Sequence, residues 1–281
     1  MILVLGATGK VGRELVPALL DTGATVRALT RDAARARIDP RAEVVEGDLD
    51  RPSELPRLLD GVERVFLLTP GHGPGREITV AEAAAAAGVT RLVKLSTSCV
   101  HFGQQDAITR GHAEAEQSVR EAGPEWTILR PGAFMDNRFG WLPSIREHDT
   151  VLVTEGDPDS ALIHVRDIAA VAALALTGPG HDGQVYPLSG GVSLSAEQQV
   201  ETLSAALGRP LKIVFETVEE TRARMLSYGW PAATIDGFFE LKRESNAHEH
   251  VVFDTVERLL GRAPLTFADW AHENVATFLG A

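Results

Sequence analysis

The chain has 281 residues, of which 44% are hydrophobic and 23% are charged, and its formal net charge is −12. This length allows one large α/β domain, or a domain that carries a smaller lobe. The negative charge and the scattered lysines and arginines disfavour a nucleic-acid partner. No apolar run approaches the roughly 20 residues that a membrane-spanning helix needs, so we expect no membrane partner.

The N-terminal sequence and the cysteine content indicate a compartment. Residues 1–5 are apolar and lead directly into a glycine-rich turn, without the basic segment and cleavage site of a signal peptide. The single cysteine, Cys99, excludes an intramolecular disulfide. Its small neighbours favour packing after a buried strand over thiolate chemistry. We therefore expect a cytoplasmic protein.

Segments rich in valine, leucine and isoleucine alternate with helical patterns through the first half of the chain. Strands are predicted at 2–5, 25–29, 43–46, 64–68, 91–96 and 126–131. Helices are predicted at 11–20, around 81–87 and at 107–122. This alternation predicts an α/β fold, a doubly wound parallel sheet of the Rossmann type.

The regular alternation breaks after Pro131. Residues 132–160 mix aromatics, prolines and acids, and an alanine-rich helix follows, for which Asp167 is a candidate cap. Further on, the sequence predicts a helix start at Ser195 and a short strand at 211–215. The predicted dinucleotide-binding domain comprises 1–131 and parts of 160–190. The segments 132–160 and 191–281 are assigned to a smaller C-terminal α/β substrate lobe.

A glycine-rich turn follows the first predicted strand and opens the first predicted helix. Gly6 permits a sharp turn, Gly9 allows backbone amides to approach a pyrophosphate, and Gly12 allows the helix to pack closely on the strand. The helix N-terminus stabilises the bound anion. Thr8, Lys10 and Val11 complete this turn, which predicts a site for a nicotinamide dinucleotide.

The end of the second strand distinguishes NADP from NAD. Thr30 stands where an acid would repel the 2′-phosphate, and Arg31 and Lys10 can both pair with a phosphate. These residues favour NADP(H) over NAD(H). Two alternatives stay open: Asp32 could bind the ribose diol of NAD, and Arg31 could be a solvated surface charge.

Other strand ends add candidate cofactor residues, because ligands of open α/β sheets bind beyond the carboxyl ends of the strands. Asp48 could accept a hydrogen bond from the adenine amino group or cap a helix before Pro52, and the two roles are compatible. The set predicted from strand ends is Asp48, Leu49, Thr69, Pro70, Ser96 and Pro131.

The ordered motifs GATGKVG, VRALTR, GDLD, LLTP, VKLST, WTILRPGAFMDN and HVRDIA resemble the NmrA-like branch of the atypical short-chain dehydrogenase/reductases. The resemblance runs through roughly the first 190 residues. It implies a Rossmann fold and a bound nicotinamide dinucleotide. The family includes NADPH-dependent quinone reductases, isoflavone-reductase-like enzymes and redox-sensing regulators that bind the dinucleotide without turning it over.

The catalytic Tyr-x-x-x-Lys pair of related enzymes is missing. When Glu116 is aligned with the helix acid of the family, Ile108 occupies the tyrosine position and His112 occupies the lysine position. His112 is the candidate catalytic residue, because an unperturbed histidine titrates near neutral pH and can donate a proton. The alternative is an exposed histidine on a helix.

The resemblance also suggests a substrate pocket, with Phe134 as the aromatic beside the nicotinamide, although a role for Phe134 in the core is an alternative. The pocket residues predicted are Ser98, His101, Phe134, Asn137 and Trp141. His164, Arg166 and Asp167 are assigned a structural role. Metal binding is not expected, because no second ligand cluster accompanies His248-Glu249-His250, which we interpret as surface.

Two hypotheses of function follow. The first is an NAD(P)H-dependent oxidoreductase, with NADPH preferred, that reduces a small hydrophobic carbonyl or quinone-like acceptor, aromatic in character, without the Tyr-x-x-x-Lys pair. The alternative is a non-catalytic NAD(P)-binding redox sensor that acts through a protein partner. The complete second lobe favours the enzyme, because it suits a small-molecule pocket.

Overall fold

A computed structural model describes residues 1–69 and 74–280. The chain forms two compact units, and neither unit is a continuous segment. The first unit comprises Met1–Pro131 and Val165–Leu188, and the second comprises 132–164 and 189–280. The chain thus returns to the first unit at Val165.

The strands are β1 (Ile2–Val4), β2 (Val26–Thr30), β3 (Glu43–Glu46), β4 (Arg64–Leu67), β5 (Arg91–Leu95), β6 (Glu125–Pro131), β7 (Thr150–Thr154), β8 (Gln184–Leu188) and β9 (Lys212–Glu216). The helices of the first unit are α1 (Gly12–Asp21), α2 (Leu55–Leu58), α3 (Gly75–Ala86), α4 (Ser98–His101), α5 (Ala107–Glu121) and α7 (Val165–Thr177). Those of the second are α6 (Leu142–His148), α8 (Ala196–Leu207), α9 (Val218–Ser227), α10 (Ala232–Ser245), α11 (Thr255–Leu260), α12 (Phe267–Glu273) and α13 (Val275–Leu279). Two 3₁₀ helices span Pro52–Glu54 and Met135–Trp141.

The first unit contains a seven-stranded parallel sheet in the order β3-β2-β1-β4-β5-β6-β8. The predicted Rossmann-type fold is therefore confirmed. The strand order reverses at β1, which pairs with both β2 and β4. Connections leave this point in opposite directions, so a crevice opens at the carboxyl end of β1, where doubly wound folds bind their ligands.

Apolar packing on both faces of the sheet holds the first unit together. Leu3, Leu67 and Leu92 pack in one buried cluster with residues of α2, α3 and α5. Because side chains alternate along a strand, the neighbouring residues Val4 and Phe66 point to the opposite face, and they are fully buried there. The helices α1 and α7 pack together and α7 contacts β4, β5 and β6. The sheet is therefore covered on both sides.

The second unit has its own core around Trp270. The indole nitrogen donates to Asp136 at 3.0 Å, and the ring stacks on Phe267 with centroids 5.2 Å apart. Strands β7 and β9 pair in parallel in a separate two-stranded sheet. Ser195 caps α8 in a capping box with Gln198, as the sequence predicts.

Three features of the sequence-based interpretation need correction. Helix α7 begins at Val165, so Asp167 lies inside its first turn and is not its cap. The segment 132–160, for which the sequence predicted no individual elements, contains a 3₁₀ helix, α6 and β7. The edge strand β8 was not predicted either, because Pro187 interrupts its strand pattern, a residue that edge strands tolerate.

None of the helices described is long and apolar enough to cross a membrane.

Candidate functional site

The glycine turn between β1 and α1 has no room for larger side chains. Gly6 has a φ of +65°, and the Gly9 amide donates to the Gly6 carbonyl at 2.9 Å. A Cβ atom on Gly12 would lie 2.1 Å from the same Gly6 oxygen. Glycine at the first and last positions thus brings the start of α1 against the turn, with the helix N-terminus at the crevice.

This arrangement fits a pyrophosphate. The first amides of an α-helix have no partner within the helix, and the helix dipole favours an anion at this end. Thr8 and Lys10 are exposed on the turn, and Val11, the N-cap of α1, is buried. Val11 can therefore contribute its backbone, while Thr8 and Lys10 can contribute their side chains.

The end of β2 presents a neutral and a basic residue. The Thr30 hydroxyl accepts from the Asp32 amide at 3.2 Å, and the Asp32 carboxylate accepts from the Arg35 amide at 3.1 Å. The Arg35 guanidinium lies 3.5 Å from the same carboxylate. Arg31 is exposed. Asp32 is thus engaged in a local turn, whereas Arg31 extends into solvent at the strand end.

The loop after β3 is fastened to α3. Asp50 accepts two hydrogen bonds from the Arg76 guanidinium, at 2.5 and 2.6 Å, and these bonds hold the pKa of Asp50 below its ordinary value. Asp48 accepts from the Asp50 amide at 3.0 Å. The N-cap of the 3₁₀ helix that begins at Pro52 is Arg51, so the helix-capping alternative for Asp48 is wrong. Leu49 packs against the core cluster.

The ends of β4 and β5 lie next to the glycine turn and α5. A Cβ on Gly6 would lie 3.3 Å from Leu68, so the chain after β4 passes close to the turn. Thr69 follows and is half-buried, and the predicted residue Pro70 lies outside the described residues. Ser96 follows β5, is 6% exposed, and donates to Glu116 at 2.6 Å.

Glu116 organises a buried polar network at this end of the sheet. Arg130 donates to it at 2.9 and 2.5 Å, and Arg120 donates at 2.9 Å. Burial raises the pKa of Glu116, but the hydrogen bonds from Arg130 and Ser96 outweigh burial, so the pKa lies below its ordinary value. This network fixes the Ser96 hydroxyl and the end of β6 next to Pro131, which is itself buried and pairs with Leu188 of β8.

His112 lies on the inner side of α5. Asp106 caps the helix by accepting from the amides of Ile108 and Thr109. Thr109 and Glu116 are buried. His112 lies three residues after Thr109 and four residues before Glu116, so it shares their helix face, and it is half-buried. The histidine is therefore one helical turn from the Glu116 network. Ile108, at the position aligned with the family's tyrosine, is the second residue of α5 and has no hydroxyl.

The short helix α4 carries the first-unit pocket candidates. Thr97 caps it, Ser98 is half-buried, and Cys99 is 8% exposed, which fits the predicted packing role of the cysteine. Burial, with a smaller contribution from the charge of Arg130, lowers the pKa of His101. His101 is nevertheless an exposed residue of the last turn of α4.

The other pocket candidates belong to the second unit. Phe134 is half-buried, and its backbone forms an isolated parallel β-bridge with Ile163. Asn137 is exposed. Trp141 is 9% exposed, belongs to the apolar core, and has the Arg138 guanidinium 5.0 Å from its ring centroid. This burial gives Trp141 a packing role, while a pocket role for it and for the other two residues stays a prediction.

Sequence reasoning did not identify the Lys94–Glu77 ion pair, and it described 248–250 incompletely. Lys94 is fully buried in β5 and lies 2.5 Å from Glu77 of α3. A lysine within the apolar run of residues 92–95 was the available signal. Glu249 is half-buried and accepts from Ser160 at 2.7 Å, so it is more than a surface residue. Within 1–69 and 74–280, no group of three or more potential ligands is placed to hold a metal ion.

Comparison with known proteins agrees with this geometry. Residues 6–179 match the model of an NAD(P)H-binding family. A (4-alkanoyl-5-oxo-2,5-dihydrofuran-3-yl)methyl phosphate reductase of Streptomyces griseus is 41% identical, and the alignment covers 99% of each chain. An NAD(P)H azoreductase of Xenophilus azovorans is 38% identical, again over 99% of each chain.

A solved structure has the same fold. The NADPH-dependent quinone oxidoreductase of Escherichia coli, complexed with NADPH, matches with a TM-score of 0.84 and 25% identity over 97% of this chain and 99% of that chain. These reductases support the enzyme hypothesis over the sensor. The chain therefore belongs to the NAD(P)H-binding family, in the NmrA-like branch of the atypical short-chain dehydrogenase/reductases, and is an NAD(P)H-dependent oxidoreductase.

Proposed function

We propose that this enzyme uses NADPH in preference to NADH and reduces quinone-like or similarly activated acceptors that are small, hydrophobic and aromatic in character. The observation that carries the proposal is the close glycine turn at the switch point of the sheet, next to a polar network on α5 that lacks the tyrosine of carbonyl-reducing relatives. The azoreductase and quinone-oxidoreductase relatives support acceptors that are reduced at activated positions.

The first unit supplies the residues for the cofactor. Backbone amides of the turn and of the start of α1 would bind the pyrophosphate, with Lys10 adding a positive charge. Asp48 and Leu49 would border the adenine, and Thr69, Ser96 and Pro131 would border the nicotinamide end. The set is completed by Gly6, Thr8, Gly9, Val11, Gly12, Arg31 and Pro70. Once bound, NADPH supplies a hydride to the acceptor.

The preference for NADPH rests on charge at the end of β2. Thr30 offers no carboxylate there, and Asp32 is hydrogen-bonded to the Arg35 amide. Arg31 is exposed at the end of β2 and Lys10 is exposed on the glycine turn, so both cations can be approached by a phosphate from solvent. A 2′-phosphate is favoured by such cations and disfavoured by a free carboxylate.

His112 is proposed as the group that holds a proton for the reduced acceptor. It is half-buried on the helix face that also carries Glu116. A histidine ring can donate a proton and recover it from water. Quinone-like acceptors make a modest demand on such a donor, because their reduced oxygens are weakly basic compared with alkoxides.

Ser98 and His101 are proposed as acceptor residues in the first unit. Phe134, Asn137 and Trp141 are proposed as acceptor residues in the second unit. His101 is exposed, so its ring would be accessible to an acceptor. Phe134 would supply aromatic surface and Asn137 amide hydrogen bonds.

The proposal is tested by following NADPH oxidation at 340 nm with 1,4-naphthoquinone, menadione, an azo dye and an aromatic ketone. We expect turnover with the quinones, and a KM for NADPH well below that for NADH. Absence of turnover with every acceptor would contradict the proposed reaction, and equal KM values for the two cofactors would contradict the NADPH preference.

A further inference from the structure

An ion pair is buried between the central strand β5 and the start of α3. The Lys94 ammonium is fully buried, lies 2.5 Å from a Glu77 carboxylate oxygen, and also donates to the Leu95 carbonyl at 3.2 Å. Glu77 is 5% exposed and is the third residue of α3. None of the catalytic or cofactor-binding roles proposed above uses this pair.

Burial imposes a desolvation penalty on both charged groups of this pair. Removing a lysine and a glutamate from water carries a large desolvation penalty for each ion, and an apolar pair of similar volume often gives equal or greater stability. The neighbouring residues Leu92, Val93 and Leu95 are apolar, as is usual for a central parallel strand. A charged pair nevertheless differs from an apolar pair in one respect, because its hydrogen bond fixes a distance and a direction.

The position of the pair relates it to the cofactor residues. Lys94 pairs in register with Leu67, the last residue of β4, and with Ile128 of β6. Two residues beyond Leu67 lies Thr69, and two residues beyond Lys94 lies Ser96. The ion pair therefore joins the end of β5 to the first turn of α3. The backbone pairing of β5 with β4 places it beside the strand ends that precede Thr69 and Ser96.

We infer that Lys94 and Glu77 are positioning residues for the dinucleotide: their ion pair holds the end of β5 against the first turn of α3. The pairing of β5 with β4 extends this constraint to the neighbouring strand end, so that Ser96 and Thr69 are presented to the cofactor. The inference rests on the proposed cofactor site. Neither side chain touches the cofactor, since both are enclosed by the protein. Their effect is transmitted through the backbone of the strand ends.

The test compares four proteins: wild type, Glu77→Gln, the apolar double variant Lys94→Met with Glu77→Leu, and the control Glu125→Gln. Glu125 of β6 accepts a hydrogen bond from Arg91 at 2.7 Å, and Arg91 is the first residue of β5. The control therefore removes an ion pair at the opposite end of β5 from the proposed site. The readouts are the Kd of NADPH by fluorescence titration, KM and kcat with a quinone acceptor, and the midpoint of thermal unfolding.

We expect Glu77→Gln to raise the Kd and KM for NADPH about fivefold or more, the lower end of typical coupling between sites, with kcat at saturating NADPH changed by less than about twofold. The double variant should recover thermal stability while its Kd stays raised, because packing is restored and the directional bond is not. Glu125→Gln should bind NADPH like the wild type.

Two results overturn the inference. One is wild-type affinity in Glu77→Gln, and the other is recovery of both stability and affinity in the double variant, which would make the pair a replaceable part of the core. If Glu77→Gln does not fold, the double variant alone decides between these outcomes. Failure of the wild type to bind NADPH would contradict the proposed function itself, and is thus distinguishable from both.

Discussion

Replacement of Gly12 by alanine tests the cofactor site at its tightest point. The new Cβ would lie 2.1 Å from the Gly6 oxygen, 2.7 Å from the Ala7 Cα and 2.8 Å from the Gly6 carbonyl carbon. All three contacts are with backbone, so no side chain can rotate away to relieve them. The start of α1 must move from the turn by roughly 1 Å, and we expect overpacking of this kind to cost about 1–3 kcal/mol of stability.

That displacement also moves the amides that are proposed to bind the pyrophosphate. A hydrogen bond to a charged group contributes about 1.5–3 kcal/mol, so the loss of one such bond corresponds to a Kd raised roughly 10- to 150-fold. The assay is calorimetric titration with NADPH at a temperature at which the variant is folded, together with thermal unfolding to measure stability.

Gly75→Ala is the matched control. Gly75 is also the first residue of a helix, its φ is not in the left-handed region, and a Cβ there meets no heavy atom of the described residues 1–69 and 74–280 within 4 Å. Alanine there should leave NADPH binding unchanged and leave stability unchanged or slightly higher. Wild-type affinity in Gly12→Ala would refute the assignment of the pyrophosphate to this turn.

Three further predictions concern the site. Arg31→Ala should raise the KM for NADPH about tenfold and leave the KM for NADH unchanged, whereas Arg35→Ala should alter neither; an equal effect on both cofactors would argue against a 2′-phosphate contact. His112→Asn should lower kcat by about 10²-fold or more, the usual range for a general acid, with the Kd of NADPH unchanged, and His148→Asn on α6 serves as its control. Because the folded-state pKa of Glu116 is depressed, its contribution to stability is full above the ordinary glutamate pKa and is lost as pH falls through the lower, folded value; acid unfolding followed by circular dichroism should therefore show a weaker pH dependence in Glu116→Gln, and an unchanged pH profile would contradict the pKa direction.

Local patterns were sufficient to predict the first six strands and the cofactor turn. Each strand is a short apolar run bounded by turn residues, and the glycines follow the first strand at the spacing that a helix start requires. The helix capped by Ser195 was predicted for the same reason, since capping is a contact over three residues.

Features that depend on distant contacts could not be predicted in this way. The Lys94–Glu77 pair joins residues 17 positions apart, and neither residue indicates its partner. The packing of Trp141 depends on the core formed with residues such as Trp270, from the far end of the chain. Strand β8 is specified by its pairing with β6 more than by its own composition, which includes a proline.

The interleaving of the two units along the chain has a consequence for how the protein is assembled during synthesis. Residues 127–131 of β6 pair on their outer side with residues 184–188 of β8. Strand β8 is synthesised only after residues 132–164 of the second unit. The parallel sheet is therefore completed late, and such non-local pairing slows folding. Until then the edge of β6 is open, so a nascent chain that stalls before this point would offer a backbone edge to which other strands can add.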